Sequence, residues 1–358
     1  MRIKKLVGSF FLSILGCSVS LMCPLYAQEK MPESVSNVQE SANNNALPSS
    51  QSAFAIKVLQ AAEQAMKELN YEISYIYVRH QAIEPLRFRH ANLANKTYAY
   101  LTYLSGIPKE AIQRGDIVSY FEPNITPFSI SHTRIHGLLP SLYQTDVTSL
   151  ASFYDFIPIG NGREAGMKCQ LIRLVSKEGD RYSYVLWVDQ KSKLIVRGDV
   201  LDKNGNLIEQ YRALTLGVND KIGKSLRKLD KVNLPPIISS KIQTNNEFDW
   251  TVGWLPNGFS LLNTTRHRLS NTTEFVESRL YSDGLFDFSI YVSKLSEVGI
   301  NQRLIRQGKR TLYSDKLGHY EVSIVGALPP TTARRIVRGV QMDPKFKAQS
   351  PSSVKESQ

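Results

Sequence analysis

Between Ala53 and Leu69 apolar side chains return at helical spacing. Ala55, Val58, Leu59, Ala62, Ala65, Met66 and Leu69 share one stripe, while Lys57, Gln60, Glu63, Gln64, Lys67 and Glu68 lie elsewhere. A stripe of that width predicts an amphipathic helix, ended by Asn70. The period then changes from 3.6 to 2. Tyr71, Ile73, Tyr75 and Tyr77 alternate with their neighbours, and residues 97–104 put Tyr98 and Tyr100 on one side and Leu101 and Tyr103 on the other. Four more strand-like runs follow at 167–175, 182–189, 194–202 and 207–216. Turn residues separate them, including the hairpin pair Asn204-Gly205. Connections this short predict antiparallel neighbours. Several strands are apolar or aromatic on both sides, so the sheet must be covered twice or curl around something.

Residues 217–245 are Lys-rich and carry Pro235-Pro236, which predicts an extended linker and the natural hinge. A second, smaller unit spans residues 246–340. Its expected strands are 259–264, 274–282, 286–293, 308–313 and 320–325, and its last element is a helix at 332–340 capped by Thr331 or Thr332. At the start of the chain, Arg2, Lys4 and Lys5 precede an apolar run that closes at Leu25-Tyr26-Ala27. This predicts an export signal over residues 1–27, cleaved after Ala27. Ile14-Leu15-Gly16-Cys17 also fits a loose lipoprotein box, leaving Cys17 as an alternative attachment site. Residues 28–52 are expected to be a flexible arm and 341–358 a disordered tail.

With 358 residues, 42% hydrophobic and 21% charged, the composition excludes collagen-like, wholly disordered and disulfide-scaffold classes. The formal net charge of +12 is uneven. Residues 28–216 hold 20 Lys and Arg against 19 Asp and Glu; residues 217–340 hold 18 against 11. The second half is therefore the cationic one, suited to an acidic partner or an anionic surface. Catalytic signatures do not assemble. There is no HExxH, CxxC or GxSxG, and the spacing of His132 and His136 falls where Gly137 and Pro140 oppose a helix. Gly160-Asn161-Gly162 leads toward a strand rather than a helix, so it reads as a tight turn and not a dinucleotide cradle. No cofactor or metal is implied, and nothing beyond net charge suggests nucleic acid. The chain reads as a binder.

Several segments together carry a resemblance. In the first half they are Leu69-Asn70-Tyr71-Glu72, Leu86 to His90, Leu104 to Glu110, Gly162 to Gly166, Asp180 to Asp189 and Gly205 to Gln210. In the second they are Trp250 to Phe259, Tyr281 to Leu285, Val322 to Gly326 and Pro329 to Ile336. In order and over nearly the whole mature chain, these resemble the MucB/RseB family of periplasmic sigma-E regulators. The resemblance implies an α+β fold: a LolA-like half-open antiparallel β-barrel with covering helices over residues 53–216, then a small mixed α/β domain. It also implies binding to the periplasmic segment of the membrane-spanning anti-sigma factor RseA, protection of that segment from the protease DegS, and release by lipopolysaccharide or mislocalised lipoprotein. A periplasmic lipid or lipoprotein carrier of LolA type is the alternative, and a homo-oligomer is left open. On this reading Tyr75, Tyr77, Phe88, Tyr98 and Tyr100 are candidates to line an acyl cavity. Trp254, Leu255 and Phe259 are candidate apolar anchors for the partner, with Arg334, Arg335 and Arg338 steering it. The competing reading makes the rings core and the arginines a solvated face.

Overall fold

The structure is a computed structural model and describes residues 50–79, 82–135, 146–238, 248–268, 275–295 and 303–342. The leader, nearly all of the expected arm, His136 and residues 343–358 lie outside the described residues.

Helix α1 (Ser50–Glu68) opens the fold and begins inside the expected arm. It buries Ala55, Val58, Leu59, Ala62, Ala65 and Met66, the stripe read from the sequence. Asn70 ends it: its carbonyl accepts from Asn219 N and its side chain accepts from Asn92 N. Eleven strands follow: β1 (Tyr71–Arg79), β2 (Ala82–Leu93), β3 (Lys96–Tyr103), β4 (Glu110–Arg114), β5 (Ile117–Glu122), β6 (Ile125–Ser131), β7 (Tyr154–Glu164), β8 (Met167–Ser176), β9 (Ser183–Asp189), β10 (Ile195–Leu201) and β11 (Leu207–Val218). They form one open antiparallel sheet in the order β6-β5-β4-β3-β2-β1-β11-β10-β9-β8-β7. Short helix α2 (Val147–Leu150) precedes β7.

The sheet curls. Helix α1 packs against both β7 and β2, which stand six places apart in the strand order. On a flat sheet they would be separated by about 29 Å at the usual strand spacing, against a helix diameter of about 10–12 Å. The face turned toward α1 carries Tyr71, Ile73 and Tyr75, with Leu86, Phe88 and Leu101 beside them in register.

The opposite face is covered by the segment expected to be a linker. Helix α3 (Asp220–Leu226) is capped by the Asn219 side chain, and a 3-10 turn (Arg227–Lys231) continues it. Leu226 and Leu229, three residues apart, join Ala91, Tyr98 and Ile112 in a second apolar cluster. The Arg114 guanidinium donates to the carbonyls of Leu229, Asp230 and Val232 at 3.1–3.2 Å, closing the end of this turn. Residues 235–238 then run beside the edge strand β6: Ser129 N donates to Pro236 O and Ile238 N to Ser129 O. The edge is thereby paired. Lysine content hid two apolar positions at helical spacing, and those positions fold the expected hinge onto the sheet.

Strand β7 runs through Gly160 and Gly162, where the sequence predicts a tight turn. Gly160, with φ +118°, follows the register shift at Pro158. Gly162 is required for another reason: a Cβ there would sit 2.4 Å from the Trp187 ring.

The second sheet is also antiparallel, ordered β13-β14-β15-β18-β17-β16. Its strands are β13 (Ser260–Arg268), β14 (Phe275–Ser282), β15 (Asp287–Lys294), β16 (Arg303–Gln307), β17 (Arg310–Leu317) and β18 (Tyr320–Gly326). Helix α4 (Pro330–Arg338) packs on β17 and β18, and β12 (Trp250–Val252) pairs with β19 (Val340–Met342), so the expected tail begins as a strand. Pro329, not Thr331 or Thr332, occupies the cap position of α4, with Pro330 at its first turn.

His90 fastens the end of α1 to β2. Its Nδ1 donates to Leu69 O at 2.9 Å and its ring stacks on Tyr71 with centroids 5.1 Å apart. Burial lowers its pKa from the ordinary 6.5, outweighing the Leu69 hydrogen bond. As pH falls through about 6.5, the unfolded chain therefore takes up the proton first, and stability that is complete above that pH is lost below it. Urea unfolding at pH 7.5 and 5.5 is expected to show a smaller drop for His90→Gln than for the wild type. Equal drops would assign the acid sensitivity to other groups.

Candidate ligand and partner surfaces

The five aromatic candidates do not share a wall. Register pairs Ile73 with Phe88 and Tyr75 with Leu86 on the α1 face, but Ala91 with Tyr98 and Arg89 with Tyr100 on the opposite one. Tyr75 and Phe88 are core residues under α1. Tyr77 stacks on Tyr211 with centroids 4.5 Å apart. Tyr98 Oη donates to the Asp230 carboxylate at 2.9 Å, and Tyr100 lies under the Arg89 guanidinium at 4.7 Å. Alternation along one strand assigns two faces but does not say which face of the next strand joins them; the cross-strand register does.

The two ends of the curled sheet differ. At the end where β1 finishes and β11 begins, the second sheet docks. The turn between β16 and β17 brings Lys309 against Glu209, with Nζ 3.5 Å from the carboxylate and the backbone N donating to it at 2.8 Å. Lys309 Nζ also lies 3.4 Å from Tyr211 Oη. Burial alone would lower the Lys309 pKa; Tyr184, Glu209 and Tyr77 outweigh it and raise it. Gly308 has φ +59°, and a Cβ there would strike the Glu209 carboxylate.

Beside this turn lies a buried ion pair. Arg181 Nη1 is 3.0 Å from Asp283 Oδ2, which also accepts from Tyr154 Oη at 2.6 Å. The other carboxylate oxygen accepts from Leu285 N and Phe286 N. Arg181 also donates to Asn257 O and lies over the Phe259 ring at 4.7 Å. Tyr184 stacks on Phe286, Tyr182 Oη donates to Leu328 O, and Thr332 Oγ1 donates to Asp180 O. The motifs around Asp180 and Asp283 thus hold the two sheets together, a role that residue types and spacing did not reveal.

Of the partner candidates, Phe259 is buried in this junction, packed on Phe288 as well as under Arg181. Trp254 and Leu255 are half-buried against the core, and Arg335 lies 3.7 Å over the Trp254 ring. Arg334 lies 5.8 Å over Tyr313. Arg334, Arg335 and Arg338 are all exposed on the outer side of α4, whose inner side buries Ala333, Ile336 and Val337. The arginines remain available to a partner; Phe259 does not. Among the described residues no His, Cys, Asp and Glu cluster could hold a metal, and no helix is long and apolar enough to cross a membrane.

Residues 55–238 match the model of the MucB/RseB N-terminal domain, and residues 244–341 match that of the MucB/RseB C-terminal domain. The chain belongs to the MucB/RseB family. A relative within it, the Sigma-E factor regulatory protein RseB of Escherichia coli (strain K12), is 42% identical over 302 residues, covering 84% of this chain and 93% of that protein. RseB of Haemophilus influenzae is 37% identical over 298 residues, covering 83% and 94%. The structure of the Pseudomonas aeruginosa MucA/MucB complex matches with a TM-score of 0.66 at 19% identity, over 81% of this chain and 99% of that one. MucB in complex with MucA(peri) matches with a TM-score of 0.63 at 20% identity, over 81% and 99%. The fold of this MucB/RseB member is therefore the MucB fold, a large open sheet followed by a smaller sheet domain.

Removing one partner of a buried ion pair leaves the other charge uncompensated. Asp283→Ala is expected to destabilise the protein by about 3–5 kcal/mol in urea unfolding. A loss below about 1 kcal/mol would show that the junction contributes little.

Proposed function

We propose that this protein is a periplasmic negative regulator of the sigma-E envelope stress response. It binds the periplasmic segment of a membrane-spanning anti-sigma factor of the RseA type, shields that segment from the protease DegS, and releases it when lipopolysaccharide or mislocalised lipoprotein binds. The observation that carries the reading is the 42% identity to RseB of E. coli, which runs through both domains and covers 93% of that regulator. The P. aeruginosa structures in which MucB is bound to MucA support the partner class. The exposed arginines of α4 and the cationic second half fit an acidic or amphipathic segment. The export signal read at residues 1–27 fits the compartment. Regulation by occupancy asks for binding surfaces and no reacting group, in keeping with relatives that are named regulators.

Protease protection tests this directly. The purified mature chain is expected to slow cleavage of the anti-sigma periplasmic segment, and added lipopolysaccharide to restore it. Cleavage at the same rate with and without the protein would sink the reading. Recovery of lipoproteins in transit, with no anti-sigma factor, from an envelope pull-down would favour the carrier alternative. Arg334→Ala/Arg335→Ala/Arg338→Ala is expected to weaken segment binding and flatten its salt dependence; unchanged affinity would remove α4 from the interface.

A further inference from the structure

At the end of the curled sheet opposite the second domain, the described residues leave a cleft. There the last turn of α1, the end of β11 and the turns β7–β8 and β9–β10 surround a cleft of about 960 Å³. Its floor is apolar, from Leu69, Met167, Leu216 and Val218, and two exposed lysines, Lys168 and Lys191, stand at its rim. Neither lysine has an ion-pair partner among the described residues. The one carboxylate in the wall, Asp189, is turned to Ser192, accepting from its N and Oγ at 2.8 and 2.7 Å. The cleft is at the upper end of the ~300–1,000 Å³ range of small-molecule sites. It lies roughly 26 Å, the length of β1, from the Lys309 contact.

An apolar floor with unpaired cations at one rim fits one ligand chemistry: a hydrocarbon chain ending in an anionic head. We propose that this cleft is the acyl-ligand site, with Leu69, Met167, Leu216 and Val218 taking the chain and Lys168 and Lys191 taking a phosphate or carboxylate. The proposal rests on the lipid-release reading above and moves its site. Among the described residues, Tyr75 and Phe88 are buried core side chains under α1, and at the far end the β16–β17 turn sits against Glu209. The chain enters beside the end of α1.

The test uses the full mature chain and a dansylated undecanoate probe. Saturable uptake is expected, displaced by dodecanoate and dodecyl phosphate, weakly displaced by neutral dodecyl maltoside and unaffected by inorganic phosphate. Those competitors separate a carboxylate head from a phosphate head, and both from a headless or chainless ligand. Lys168→Glu/Lys191→Glu should weaken uptake by about tenfold or more, and Val218→Glu should weaken it too. Lys203→Glu, an exposed charge reversal at the opposite end of the sheet, should leave it unchanged. The lysines and Val218 are exposed, so these variants are expected to fold, which far-UV circular dichroism checks. Absence of uptake, uptake indifferent to the lysine reversal, or equal displacement by maltoside would overturn the site. A protein that protects the anti-sigma segment yet takes up no chain refutes this inference alone. One that takes up the chain here yet never protects the segment refutes the regulatory reading alone.

Discussion

A sheet that is apolar on both faces has to be covered on both, and the rest of the molecule follows from that requirement. The eleven strands answer it with one helix on each side and a curl. Helix α1 fills the inner face, and α3 with its 3-10 turn covers part of the outer one. Residues 235–238 pair with the edge strand β6, so the same segment that covers the sheet also blocks an exposed edge. What the curl leaves is two ends. One is taken by the second domain; the other remains a cleft.

The occupied end is joined by buried charge rather than by apolar contact alone. Arg181, Asp283 and Tyr154 form a hydrogen-bonded set, and Lys309 reaches Glu209 a short way off. Such pairs contribute little net stability against a hydrophobic alternative, but each loses heavily if its partner is withdrawn. They therefore specify one orientation of the two sheets. Motion between the sheets, if a ligand drives it, must break these contacts. Residues 217–238, most of the segment expected to be a linker, are themselves packed on the large sheet.

The sequence made the local elements legible and left their partners hidden. Helix α1 and strands β1, β3 and β8 to β11 follow from a change of period. Strand β2 was less visible because Pro85 and the outward Arg87 and Arg89 interrupt it, and β7 because its glycines imitate a turn. Both glycines instead answer tertiary demands: a register shift at Gly160 and the Trp187 ring over Gly162. The aromatic candidates failed as a set for the same reason. Tyr75 and Tyr98 each lie on an apolar side of a strand, but register puts those sides on opposite faces. Lys168, Lys191 and Asp283 carry no local signal at all; their roles depend on which turns and strands meet in space.

The distance between the cleft and the second domain constrains any switch. A ligand at one end alters partner binding at the other only through differential affinity for two states. Strands β1 and β11 span the distance: β11 carries Leu216 and Val218 at the cleft and Glu209 and Tyr211 at the Lys309 contact. Moving a two-state balance from 1:99 to 99:1 takes about 5.5 kcal/mol of differential binding. Each methylene buried contributes roughly 0.8 kcal/mol, so seven carbons buried in one state and exposed in the other would supply about that amount. A short acyl chain is large enough for the task. The physical demand on the ligand is thus a chain that one arrangement of the sheet ends admits and the other excludes, with the headgroup setting where that chain begins.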